Sequence, residues 1–176
     1  MKRLIMCEGS NELEIVRILL ENDALIFTED DLLGLTPFHA RQIKSGTQVY
    51  TELGIYPGND VLIMRVGDTQ TDKLKLPKDI QHKIQGIEKY CTKPELEMLL
   101  IIAEGLTADY EHQRQYSPKE YAKRNIYLGK KRYDNSSAFY RDYFGESIDR
   151  LTDAIREYKR IKTHNRDELF LADILR

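Results

Sequence analysis

Apolar and polar residues fall along this chain in blocks that switch between strand-like and helix-like spacing. The first block, Arg3 to Cys7 (RLIMC), is a short apolar run of the kind buried on both faces of a parallel sheet. Glu8-Gly9-Ser10 interrupts it. Asn11, with Glu14 three positions later, has the spacing of a capping box, and Leu13, Val16, Ile18, Leu19 and Leu20 give the following helix a broad apolar face. Asn22-Asp23 closes that helix, and Ala24 to Phe27 reads as a second strand. Thr28-Glu29-Asp30-Asp31 is an N-cap with an acidic first turn, Gly34 ends the short helix, and Thr36-Pro37 opens another. Residues 45–59 are ambiguous. Val61 to Val66 is the strongest strand signal in the chain, and it stops at Gly67-Asp68.

After Asp72 the pattern predicts a helix near Lys78–Ile87 and a short strand over Ile87–Cys91. Thr92 and Glu95 then fit a capping box around Pro94, opening a strongly apolar helix that stops near Gly105. Beyond it the texture turns Tyr-rich, basic and helical. Ser117-Pro118-Lys119-Glu120 is a capped start, and Ile148, Leu151, Ile155 and Tyr158 make one apolar stripe. The end, Glu168–Leu175, is apolar enough to dock. This order predicts an α/β fold with a mainly parallel, Rossmann-like sheet flanked by helices over residues 1–105, and a helical C-terminal subdomain over 106–176.

Composition narrows the class. The chain has 176 residues, 41% hydrophobic and 32% charged, which suits a soluble globular protein. It has no apolar stretch of about 18 residues to span a membrane, and its N-terminal apolar run is too short for a secretory signal. Cys7 and Cys91 each sit in an apolar segment, so buried reduced thiols and a cytoplasmic location are expected. Residues 1–105 hold 12 Lys/Arg against 17 Asp/Glu, whereas residues 106–176 hold 15 against 12. An acidic site beside a basic flank suits a polyanion processed with the help of a cation.

The candidate chemistry follows from topology. Ligands of parallel α/β sheets sit beyond the carboxyl ends of the strands, and Glu8 and Asp68 each hold that position on separate strands. Taken alone, Glu8-Gly9-Ser10-Asn11-Glu12 is a turn with a helix-start acid, and Gly67-Asp68 to Asp72 an Asx-type turn. Together they place carboxylates side by side with no partner evident in the sequence, a cost that a hard cation such as Mg²⁺ relieves. Glu97, ahead of an apolar run, needs a partner or a metal if it is buried. Phosphate-loop and dinucleotide fingerprints are missing, and the four histidines, His39, His82, His112 and His164, lack zinc-like spacing. The tyrosines of residues 110–143 are better read as helical core than as base-stacking platforms.

A strand ending in Glu-Gly-x-x-Glu (Glu8, Gly9, Glu12), followed by a later strand ending in acids, resembles the TOPRIM fold of topoisomerases, primases and OLD-type nucleases. Pro94 to Glu97 (Pro-x-x-Glu) is similar to compact TOPRIM-like proteins of bacterial defence loci, and the resemblance spans roughly residues 3–105. It implies Glu8 as the first-strand acid that binds metal or handles protons, Glu12 as its support, Asp68 as the principal metal-binding aspartate and Glu97 as a ligand for a second metal. The family's Asp-x-Asp is broken here, since Gln70 holds the second position and the next acid is Asp72. The expected activity is Mg²⁺- or Mn²⁺-dependent cleavage of nucleic acid, with catalytic Glu8 and Asp68 and a metal held among Glu8, Glu12, Asp68, Asp72 and Glu97. Lys93, Lys123, Arg124, Lys130, Lys131 and Arg132 are the expected nucleic-acid-binding residues. The rival expectation, favoured by Gln70, is a non-catalytic interaction module working beside a separately encoded ATPase.

Overall fold

In a computed structural model, described here over residues 1–68, 72–162 and 168–176, the chain is an α/β protein built on one parallel sheet. Strands β1 (Lys2–Cys7), β2 (Phe38–His39), β3 (Val61–Gly67) and β4 (Ile84–Cys91) lie in the order β2-β1-β3-β4, all parallel. β1 and β3 are central strands covered on both faces, which is why both read as near-continuous apolar runs. Leu4, Met6, Val61 and Ile63 meet α2 (Gln48–Ile55) on one side. Ile5, Cys7, Met64 and Val66 meet α1 (Ser10–Glu21) and α3 (Met98–Ala103) on the other. A bulge in β4 opposite Val61 and Leu62 shifts the pairing by one residue, so Gly86, Glu88 and Tyr90 pair with residues on the α1 side.

Residues 106–176 pack on that same side. Helices α4 (Thr107–Glu111), α5 (Pro118–Asn125), α6 (Ser137–Phe144) and α7 (Ile148–Ile161) share one apolar core with α1 and α3. A two-stranded antiparallel ribbon, β5 (Tyr127–Leu128) and β6 (Lys131–Arg132), follows α5. Ser117 and Glu120 form the capping box that the sequence predicts, with Pro118 in the first turn. Leu151, Ile155 and Tyr158 bury the expected stripe of α7. Tyr110, Tyr121, Tyr133, Tyr140 and Tyr143 are buried, so most of the tyrosine-rich stretch is core, whereas Tyr127 on β5 is exposed. Among the described residues, no helix is long and apolar enough to cross a membrane, and both cysteines are free and buried.

Five local expectations are corrected. Ala24–Phe27 is not a sheet strand: Leu25 makes a single antiparallel bridge to Leu175, and the segment is apolar because the C-terminal tail docks on it. The second strand is Phe38–His39, where Thr36-Pro37 predicted a helix start; an X-Pro pair equally favours extended backbone, and here pairing with Met6 and Cys7 decides it. Gln81–Lys83 is one 3₁₀ turn and β4 begins at Ile84, in place of a helix to Ile87. Gly9, not Asn11, is the N-cap of α1, which frees Asn11 to bond elsewhere and leaves Glu14 to pair with Arg141. α3 starts at Met98 with Glu97 at its N-cap, so Thr92 caps nothing there.

Candidate carboxylate site

The sheet's strand order fixes where a site forms. From β1 the chain goes to β2 on one side and, after returning to β3, on to β4 at the other edge. Connections leaving β1 and β3 in opposite directions open a crevice beyond their carboxyl ends. Glu8 follows β1 and Asp68 follows β3, and the two strands stay in register to the tip, with the Glu8 amide donating to the Val66 carbonyl at 2.9 Å.

Two glycines make room for carboxylates there. A Cβ at Gly67 would run into the side chain of Glu8, and one at Gly9 would run into the carboxylate of Glu12. The Glu8 side chain therefore lies across the end of β3 with 8% of its surface exposed. Glu12 comes from the first turn of α1. Glu97 comes from the other side, where the segment after β4 turns into α3, and it is 3% exposed. Glu8, Glu12, Asp68 and Glu97, with Glu95, line one polar cavity of about 250 Å³, whose cationic side chains are Arg41 and Lys119.

The electrostatics follow from that crowding. Burial, and then the charges of Asp68, Glu97 and Glu8, push the Glu12 carboxyl above its ordinary range. Burial raises Glu97 as well, partly offset by the Tyr133 hydroxyl, which donates to Glu97 Oε1 at 2.7 Å. The Tyr133 and Tyr140 hydroxyls are 3.2 Å apart. Asn11 donates from Nδ2 to Asn135 Oδ1 at 3.0 Å, tying α1 to the loop that carries Tyr133 and Asn135. The Lys119 amide at the start of α5 donates to Glu95 Oε2 at 2.7 Å. Arg41 Nη2 stands 4.0 Å from Glu8 Oε2 with most of its side chain exposed.

The other sequence candidates go elsewhere. Asp72 does not line the cavity: the buried Arg65 holds its carboxylate at 3.1 Å and its carbonyl at 2.7 Å, while Gln42 also donates to it. Gln70 and His164 lie outside the described residues. Lys93 stands 4.0 Å from Glu168. Lys123 and Arg124 end α5, with Arg124 over the Tyr116 ring. Lys131 and Arg132 form β6, Lys130 precedes them, and Arg132 covers Tyr127. None of these six lines the cavity, although Lys119, Tyr133 and Asn135 on the same stretch of chain reach it or its walls. Arg41, Lys119, Tyr133 and Asn135 belong to no motif that marks a site residue in the sequence. Only Lys119, inside a recognisable cap, carried any local signal.

No family model, no curated protein and no solved structure matches this chain. The site must therefore be read from its own chemistry. Its donors are oxygens, the class that hard divalent cations take. Among the described residues, however, no three His, Cys, Asp or Glu side chains close into a ligand set. The arrangement is a polar cavity lined by carboxylates rather than a closed cation cage.

Proposed function

We propose that this chain is a divalent-metal-dependent phosphodiesterase of TOPRIM-like type that acts on nucleic acid. The observation that carries the reading is the meeting of Glu8, Asp68, Glu12 and Glu97 in one polar cavity at the switch point of a parallel sheet. Glu8 and Asp68 would hold Mg²⁺ or Mn²⁺, with Glu12 and Glu97 behind them. A bound ion would neutralise phosphate charge and acidify an attacking water. The chain's own groups do the rest. Arg41 and Lys119 draw a phosphate to the rim, Tyr133 orients the buried Glu97, and Glu12, whose carboxyl burial raises above its ordinary range, is placed to exchange a proton.

The test is hydrolysis of single- and double-stranded DNA and RNA with Mg²⁺ or Mn²⁺. Cleavage is expected from the native protein and its loss from Glu8→Ala and Asp68→Ala; cleavage that survives both changes overturns the assignment. The 4.0 Å approach of Arg41 to Glu8 offsets that acid's charge without a metal, and it favours a second reading, a non-catalytic interaction module. That reading expects no Mn²⁺ binding that depends on these carboxylates.

A further inference from the structure

A groove of about 510 Å³ opens beside the carboxylate cavity at the outer edge of the sheet, walled by α1, β2 and the loop that leads into α2. Arg17, Arg41 and Lys44 line it, and among the described residues no carboxylate does. This is the opposite of its neighbour, where, among the described residues, five carboxylates face two cations. Arg41 belongs to both. Arg17 and Lys44 are exposed, and among the described residues neither forms an ion pair, although Arg17 lies within electrostatic reach of Glu21. The groove is also tied mechanically to the site: His39 Nε2 lies 3.2 Å from the Glu8 carbonyl, so the β2 edge is fixed to the turn that carries Glu8.

Protein surfaces ordinarily mix both signs of charge, and a concave patch of one sign concentrates the opposite counter-ion. Lys123, Arg124, Lys130, Lys131 and Arg132 differ. Arg124 and Arg132 rest on aromatic rings, and none of the five lines either cavity. We infer that the groove holding Arg17, Arg41 and Lys44 is the track for a nucleic-acid phosphodiester backbone, leading past Arg41 to the carboxylates. The destination of the track rests on the proposed hydrolase; the track itself does not.

The experiment measures fluorescence anisotropy of labelled 12-nucleotide DNA and RNA strands in EDTA, across a salt series. Arg17→Ala/Lys44→Ala is compared with Lys130→Ala/Lys131→Ala, and circular dichroism checks that each folds. The groove pair is expected to lose affinity at least tenfold and to flatten the salt dependence by roughly 1.4 in log–log slope, about 0.7 for each lost phosphate contact. The ribbon pair is expected to stay within twofold. Groove variants that bind within twofold of the native chain overturn the track, as does a native chain that binds neither strand. EDTA keeps the two readings separate: a protein that binds through the groove yet never cleaves leaves the track standing and removes the hydrolase.

Discussion

Glu12 and Glu97 sit beside other carboxylates, and burial first, with the neighbouring negative charge second, pushes both carboxyls above their ordinary range. A carboxyl whose folded pKa lies above its unfolded one supports the folded state fully below the ordinary value of 4.5, and that support is lost as pH rises through the folded value. Glu12→Gln should therefore raise the melting temperature of the metal-free protein at pH 7.5 by about 2–4 °C, the shift that ~1 kcal/mol makes in a chain of this size. At pH 4 the difference should vanish; thermal scans at the two pH values decide. Tyr133→Phe removes the hydroxyl that donates to buried Glu97. It should cost about 1–3 kcal/mol in urea unfolding and weaken Mn²⁺ binding by about 10-fold. The acids were legible because a carboxylate after a strand is a local signal. Tyr133 was not, because its bond to Glu97 spans 36 positions and nothing near either residue announces the other.

At the scale of elements, the long, strongly patterned pieces were readable: β1, β3, the cap of α5 and the stripe of α7. β2 escaped because two residues are too few to show a period, and β4 was shortened because its bulge breaks the alternation at the strand's start. The strand ends offer a sharp test. Gly67→Ala places a methyl against the Glu8 side chain, the movable partner, with no positive φ to strain the backbone. Mn²⁺ affinity should fall at least tenfold while stability falls little. Gly86→Ala, on β4, meets only Leu62 at an ordinary 3.4 Å and should leave Mn²⁺ affinity unchanged. Calorimetric titration of both variants, with thermal scans beside it, separates displacement of Glu8 from general damage.

For the whole molecule, the parallel α/β architecture was legible from the order of its elements, but the way its C-terminal half packs was not. Leu99, Leu100 and Ile101 of α3 and Ile15 and Ile18 of α1 share one core with Phe139, Tyr140, Leu151 and Ile155. Fully burying each such side chain is worth about 1.5–3 kcal/mol. A fragment ending at Gly105 should therefore lack a cooperative thermal transition by circular dichroism, whereas a folded fragment would show that the first 105 residues stand alone. The same packing sets Lys119 and Asn135 against the acids of the sheet, so both halves build the cavity.

One geometric fact underlies all of this: acids from three separate stretches of chain face a shared space. Calorimetric titration of Mn²⁺ into the native protein, Glu8→Ala and Asp68→Ala tests it most directly. Saturable binding to the native chain that both substitutions abolish is the expected result. Heat that is absent from all three proteins, or identical in all three, would contradict it.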